Sequence, residues 1–178
     1  MTMDFFTLNE KIFIFLNKTI ANPILDFLVL WVLIPLFFLL GLVPFLFLFS
    51  KDKNKKILAL FALFSGFFLY WFGHSILKPI FHVPRPSVLF ENVRILIPWH
   101  ESPYSFPSTT TMLAFGLAFP IFFHYRKAGS FLLILALLVG FSLIYSGFHT
   151  PFDVLAGILS SFVFVFLVDK ILKLEKLN

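Results

Sequence analysis

With 60% apolar residues, 20% aromatic and 13% charged over 178 residues, the chain is too hydrophobic for a soluble fold of its size and reads as an all-α integral membrane protein, one domain over residues 1–178. The formal charge of +5 does not point to nucleic acid, because Lys and Arg collect at the ends of apolar runs and form no basic face interleaved with aromatics. The absence of cysteine excludes disulfides and thiolate metal sites.

Residues 1–22 lack a basic leader and a small-residue cleavage site, so a cleaved signal peptide is not expected. Residues 1–21 alternate Phe5, Phe6, Ile12, Phe13, Phe15 and Leu16 with Asn9, Glu10, Lys11 and Lys18, the pattern of an amphipathic helix lying in the membrane interface. Asn22-Pro23 ends it. Five apolar runs follow, at 24–50, 57–77, 108–123, 129–145 and 153–168, and predict about five transmembrane helices, since roughly 20 residues cross the hydrocarbon. Pro35 and Pro44 are expected to kink the first, and Gly66 and Gly73 to allow close helix packing in the second. Between the second and third runs lies a loop over 78–107, with prolines at 79, 84, 86, 98, 103 and 107. Such a loop cannot be a regular helix throughout, and loops of that length usually carry function. A short apolar cluster inside it, Ile95 to Ile97 with Trp99, is suited to dipping into the interface.

Alternation of the spans places the 51–56 loop, the 124–127 loop and the C-terminal tail on one face, with nine of the fourteen Lys and Arg. Because cytoplasmic loops collect Lys and Arg, the opposite face, which holds the 78–107 loop, is expected to look outward. In a bacterium that is the periplasmic side of the inner membrane.

Three polar islands share that outward face. Lys78 and Arg85-Pro86 leave the second span together; a guanidinium fork and an ammonium suit an anionic headgroup, and both residues could equally snorkel to lipid phosphates. Ser108 follows Pro107 at the start of the third span, as an N-cap whose neighbouring N–H groups could bind phosphate, or as a cap and nothing more. In His149-Thr-Pro-Phe-Asp153, Thr150 at N-cap and Pro151 at N1 place Asp153 at N3, pointing back toward His149. A carboxylate holding one imidazole nitrogen leaves the other free to act as base or nucleophile; alternatively Asp153 completes a capping box beside an interfacial histidine. His74, His82, His100 and His124 form no convincing metal-ligand set, and His124 falls on the other face, so neither metal nor cofactor is expected.

In this order, after these spans, the islands resemble the three signatures of the type 2 phosphatidic acid phosphatase superfamily of membrane lipid phosphatases. Lys78-x6-Arg85-Pro86 matches the first in full, Pro107-Ser108 the first half of the second, and His149-x3-Asp153, followed by Val-Leu-Ala-Gly157, the end of the third. Asn22-Pro23-Ile-Leu-Asp26 also resembles bacterial members, so the likeness covers about residues 4–168. It implies a metal-independent phosphatase in which His149 takes the phosphoryl group, Asp153 orients it, and Lys78, Arg85, Ser108 and Thr109 cradle the phosphate. Two positions depart from the family. Thr109-Thr110 stands where Gly-His is usual, and Leu143 where an Arg is usual. The usual leaving-group acid is thus absent, a loss that typically costs about 10²- to 10⁴-fold in rate. On the outward face His82 and His100 are the candidates to replace it.

A missing acid matters least when the leaving group is a stable anion or an anomeric hydroxyl. The resemblance points first to lipid A 1-phosphate, with undecaprenyl pyrophosphate or phosphatidylglycerophosphate as alternatives. A relative that binds phospholipid headgroups without turnover is the reading from a different class.

Overall fold

The structure, a computed structural model, describes residues 5–97 and 102–172. Its regular elements are helical: α1 (Phe5–Ile14), α2 (Pro23–Leu48), α3 (Lys53–Phe81), α4 (Thr109–His124), α5 (Arg126–Tyr145) and α6 (Pro151–Leu172). Helices α2, α3, α5 and α6 are each long and apolar enough to cross a bilayer, and α4 is a shorter apolar helix of 16 residues. At about 1.5 Å per residue α4 is only about 24 Å long. It sits in the middle: α3, α5 and α6 pack around it, and Met112, Ala114, Phe115, Ala118 and Ile121 are buried within one apolar core. The outer helices turn Trp31, Phe38, Phe67 and Ile171 outward, as lipid-facing surfaces require. The chain is therefore an all-α membrane protein, with the five apolar runs forming the bundle.

Local chemistry explains the helix ends. Asn22 caps α2 by accepting from the N–H groups of Ile24 and Leu25, with Pro23 at N1, and Asp52 caps α3 through Asn54 N. In α2 the turn before Pro35 widens to a π-turn over Val29–Leu33, where Ile34 N–H reaches Val29 O at 3.0 Å, so the break sits at the proline. At Gly66 and Gly116 two glycines from α3 and α4 face each other: a Cβ on Gly116 would press on the Gly66 backbone. A larger residue at Gly116 therefore pushes against the α3 backbone, whereas one at Gly66 meets the Leu117 and Leu113 side chains.

Two expectations change. Helix α3 does not stop at residue 77. It widens into a π-turn at Gly73–Leu77, runs through Pro79 and ends at Phe81, where His82 takes a left-handed conformation (φ 51°). Lys78 therefore stands on a rigid helix and not in a loop. In α1 the amphipathic pattern has an unexpected inward face. Asn9 and Phe13, with Asn17 on the following π-turn (Phe15–Thr19), are buried against the protein, while Phe5, Phe6, Ile12 and Phe15 are exposed. The polar amides turn inward because helix ends and loops there offer backbone groups that need partners.

Candidate active site

The three islands converge on one end of the bundle. At the start of α6, Thr150 and Asp153 form a reciprocal capping box: Asp153 Oδ2 accepts from Thr150 N at 2.7 Å, and Thr150 Oγ1 accepts from Asp153 N at 3.3 Å. The same carboxylate oxygen lies 3.6 Å from His149 Nδ1, longer than a hydrogen bond, and no closer partner reaches that nitrogen. The capping box is thus formed, and the same carboxylate also faces the imidazole. With Nδ1 turned to a carboxylate and Nε2 to an arginine, the tautomer protonated on Nδ1 suits both neighbours and leaves the lone pair on Nε2.

Nε2 faces Arg85, whose Nη1 is 3.4 Å away. Arg85 is 6% exposed and does not snorkel: its Nε donates to Ser102 O and its Nη1 to Phe148 O, both at 3.0 Å. Lys78, 2% exposed, donates from Nζ to Tyr104 O at 2.7 Å. Both cations are thus held by backbone carbonyls of segments that flank the other two islands. The loop that supplies those carbonyls is itself tied down, since Ser105 donates from N to Val83 O and from Oγ to Pro84 O.

Ser108 caps α4 as expected, although its Oγ accepts more closely from the hydroxyl of Thr111 (2.9 Å) than from the Thr111 N–H (3.4 Å). Its own N–H donates to Asp153 O at 3.0 Å, which joins the starts of α4 and α6. Gly157 makes that junction possible, because a Cβ there would meet Ser108 O. Thr109 is buried in the first turn of α4 beside Ser108, and Thr110 is half-buried.

His149 is fully enclosed, and burial is the main influence that pushes its imidazole down to about 4; Asp153 opposes the shift, while the positive charges of Arg85 and Lys78 add to it. The ring is consequently neutral, with a nucleophilic nitrogen, throughout the physiological range. The expected consequence is an acid limb of kcat/KM, after correction for ionisation of the substrate, lying below pH 5 and not near 6.5; a limb near 6.5 that disappears in no other histidine variant would show that burial does not depress the His149 imidazole.

Other sequence candidates lie apart from this cluster. His82 is exposed and packs edge-on against Tyr104, with ring centres 4.8 Å apart. It neighbours the carbonyl that holds Lys78. His100 lies outside the described residues. His124 is at the opposite end of the bundle, as its place in the sequence required, where Nε2 meets Asp169 Oδ1 at 2.7 Å and links α4 to α6. At position 143 the leucine side chain packs into the core, and its carbonyl accepts from Phe148 N and His149 N, so the turn is shaped without a third cation from that position. Among the described residues no three His, Cys, Asp or Glu side chains are grouped to hold a metal ion.

Several supporting residues gave no sequence signal. Arg94 grips Asp26 with Nη2 at 2.8 and 2.7 Å, and Tyr145 donates its hydroxyl to the same carboxylate at 2.6 Å. Asn17, fully buried, accepts from Arg94 N and donates to the carbonyls of Arg94 and Tyr145. This network fastens the loop over the site to α1, α2 and the end of α5. Only the Asn-Pro-Ile-Leu-Asp26 stretch hinted at it.

Comparison with known proteins agrees with this geometry. The PAP2 superfamily model matches residues 55–175. A bacitracin transport permease protein, BcrC, of Bacillus licheniformis is 34% identical over 162 residues, covering 88% of this chain and 77% of the relative. The putative undecaprenyl-diphosphatase YbjG of Escherichia coli is 33% identical over 128 residues, covering 70% of this chain and 61% of its own length. Among solved structures, Aquifex aeolicus LpxE superposes with a TM-score of 0.72 at 30% identity, covering 96% of this chain and 99% of the other. The family match spans the helices that carry all three islands, and the chain belongs to the PAP2 superfamily as a membrane lipid phosphatase.

Proposed function

We propose that the chain removes a phosphate from a lipid headgroup in the periplasmic leaflet of a bacterial inner membrane, through a phosphohistidine formed on His149. The observation that carries this reading is the lone-pair nitrogen of His149 facing the Arg85 guanidinium at 3.4 Å. A phosphoryl group entering between them meets a nucleophile and a charge-assisted donor together. Nε2 attacks phosphorus as the bond to the lipid oxygen breaks, and the positive charge that develops on the imidazole is stabilised by Asp153. Lys78, Arg85 and the first turn of α4 at Ser108 and Thr109 hold the phosphate oxygens. Water then attacks phosphorus, Nε2 leaves, and inorganic phosphate is released with the imidazole restored.

The nature of the leaving group supports a substrate class. Thr110 supplies no acid, so the departing group must tolerate leaving unprotonated and take its proton from water. Lipid A carrying a 1-phosphate, whose sugar departs as an anomeric oxyanion and then takes a proton from water, is the first reading. Undecaprenyl diphosphate, which leaves as a phosphate monoester, is the second, favoured by the activity in the name of YbjG and in that of an undecaprenyl-diphosphatase BcrC of Bacillus subtilis, 40% identical over 88 residues. Purified protein in detergent with EDTA should release phosphate from either lipid at least about 10²-fold faster than from phosphatidic acid, an alkyl phosphate. Replacing His82 by Gln should change the favoured rates by less than about threefold. Loss of all activity in EDTA would exclude the metal-independent mechanism, and absence of release from every lipid would leave a phospholipid-binding relative.

The outward orientation rests on the Lys and Arg asymmetry. With a membrane-impermeant thiol reagent on intact cells, a cysteine replacing Glu91 should be labelled and one replacing Lys53 should not. The reverse pattern would move the site to the cytoplasmic leaflet.

A further inference from the structure

A cavity of about 580 Å³ opens between α1 and the loops around the site, and it ends against Thr150, which follows His149 in the chain, and Asp153, whose carboxylate lies 3.6 Å from the imidazole. Its walls are aromatic, with Phe81, Phe90, Phe106 and Phe152 contributing rings. Its polar rim comes from one turn of α1: Thr7, Asn9 and Glu10. The position of α1 is fixed. Asn9 Oδ1 accepts from Phe152 N at 3.0 Å, Phe5 stacks on Phe152 with centres 4.8 Å apart, and Phe13 packs on Phe90 at 5.4 Å. The bond to Phe152 uses the amide oxygen of Asn9 and leaves its NH2 as the group it can offer a ligand.

The charge of this cavity is informative. Lys78 and Arg85 are spent on the phosphate position beside His149, and among the described residues the cavity lining contains no Lys or Arg, only the carboxylates Glu10 and Asp153. A second phosphate placed here would face the exposed Glu10 carboxylate with no Lys or Arg on the lining, an arrangement that costs affinity. A neutral ring bearing hydroxyl groups finds the opposite: Phe faces for its C–H bonds, and a carboxylate, an amide and a hydroxyl for its O–H groups. At about 580 Å³ the space lies in the range that encloses a small organic ligand.

We infer that this cavity is a sugar subsite, and that Thr7, Asn9 and Glu10 on α1 select a glycolipid phosphate over a lipid diphosphate. The inference rests on the reading of His149 as the centre of phosphoryl transfer, and it makes the N-terminal helix part of the substrate site and not merely a membrane tether. Glu10 is the specificity-determining residue, because it hydrogen-bonds a hydroxyl and repels a phosphate at the same place.

The test compares kcat/KM for lipid A with that for undecaprenyl diphosphate in the full-length parent, Glu10→Gln and Glu10→Lys. Glu10 is exposed, so neither substitution should disturb folding. The ratio of glycolipid to diphosphate should fall about tenfold in Glu10→Gln, the worth of one charge-assisted hydrogen bond, and further in Glu10→Lys, chiefly through KM. A ratio within twofold of the parent in both variants overturns the assignment. A second arm needs no turnover: glucosamine 1-phosphate should raise the melting temperature of the parent more than inorganic pyrophosphate does, with the order reversed in Glu10→Lys. Equal shifts from both ligands in the parent and in Glu10→Lys also overturn the subsite. If no lipid is hydrolysed in a His149-dependent way the phosphatase reading fails, and the melting-temperature arm still decides the subsite.

Discussion

Replacing His149 with alanine should lower phosphate release by about 10⁴-fold or more, while the protein still binds its lipid. The substitution removes the nucleophile but leaves Arg85 on the carbonyls of Ser102 and Phe148, and Lys78 on that of Tyr104, so the cradle for the phosphate stands. The distinction is measurable. Single-turnover reaction of the parent, quenched in alkali, should trap phosphate as an acid-labile phosphoramidate, and His149→Ala should trap none, although lipid binding by isothermal titration is retained. Release by His149→Ala within tenfold of the parent rate would exclude the covalent mechanism. A loss of binding equal to the loss of rate would instead show that the imidazole belongs to the cradle.

Asp153→Asn should have the second largest effect, about 10³-fold in kcat, because it removes the charge that holds Nδ1–H toward the helix and stabilises the imidazolium. The asparagine is nearly isosteric, and its oxygen can still accept from Thr150 N. The cap is therefore largely kept, and the melting temperature should move by only a few degrees. With the amide oxygen in that place the tautomer is also kept, and the loss of rate comes from the missing negative charge opposite the developing imidazolium. If kcat stayed within threefold of the parent, Asp153 would be a capping residue only. The structure makes this test sharp, since one oxygen, Oδ2, lies 2.7 Å from Thr150 N and 3.6 Å from His149 Nδ1.

Both experiments concern residues that were legible as motifs, and the fold explains why. Thr150, Pro151 and Asp153 are joined by local helix-cap chemistry, which a short stretch of sequence specifies completely. Ser108 before the apolar run of α4 is of the same kind, and so is Asn22-Pro23 before α2. What those stretches could not reveal is the partner that decides their use. Sequence allowed Lys78 and Arg85 to snorkel to lipid phosphates. The structure buries both, because carbonyls 17 to 63 residues away along the chain turn toward them. Similarly, Thr111 appeared only as one of three threonines, yet its hydroxyl is the nearest hydrogen-bond donor to the Ser108 oxygen.

The N-terminal helix shows the same division from the other side. Its amphipathic period was readable, but which face turns inward was not. A period fixes the spacing of a stripe; the neighbour that receives it fixes the direction. Asn9 and Asn17 turn inward because the start of α6, the Arg94 backbone and the end of α5 present unpaired N–H and carbonyl groups within reach.

By itself the sequence determined that this is a helical membrane protein, where its spans lie, and which three polar islands could do chemistry, because apolar runs and helix caps are local properties of the chain. The tertiary structure decided that Arg85 faces the free nitrogen of His149, that α3 carries Lys78 on a rigid helix, that Arg94 fastens the loop through Asp26, and that α1 walls a cavity beside the site. Each of these depends on contacts between segments far apart along the chain, which the bundle brings together around the short central helix α4.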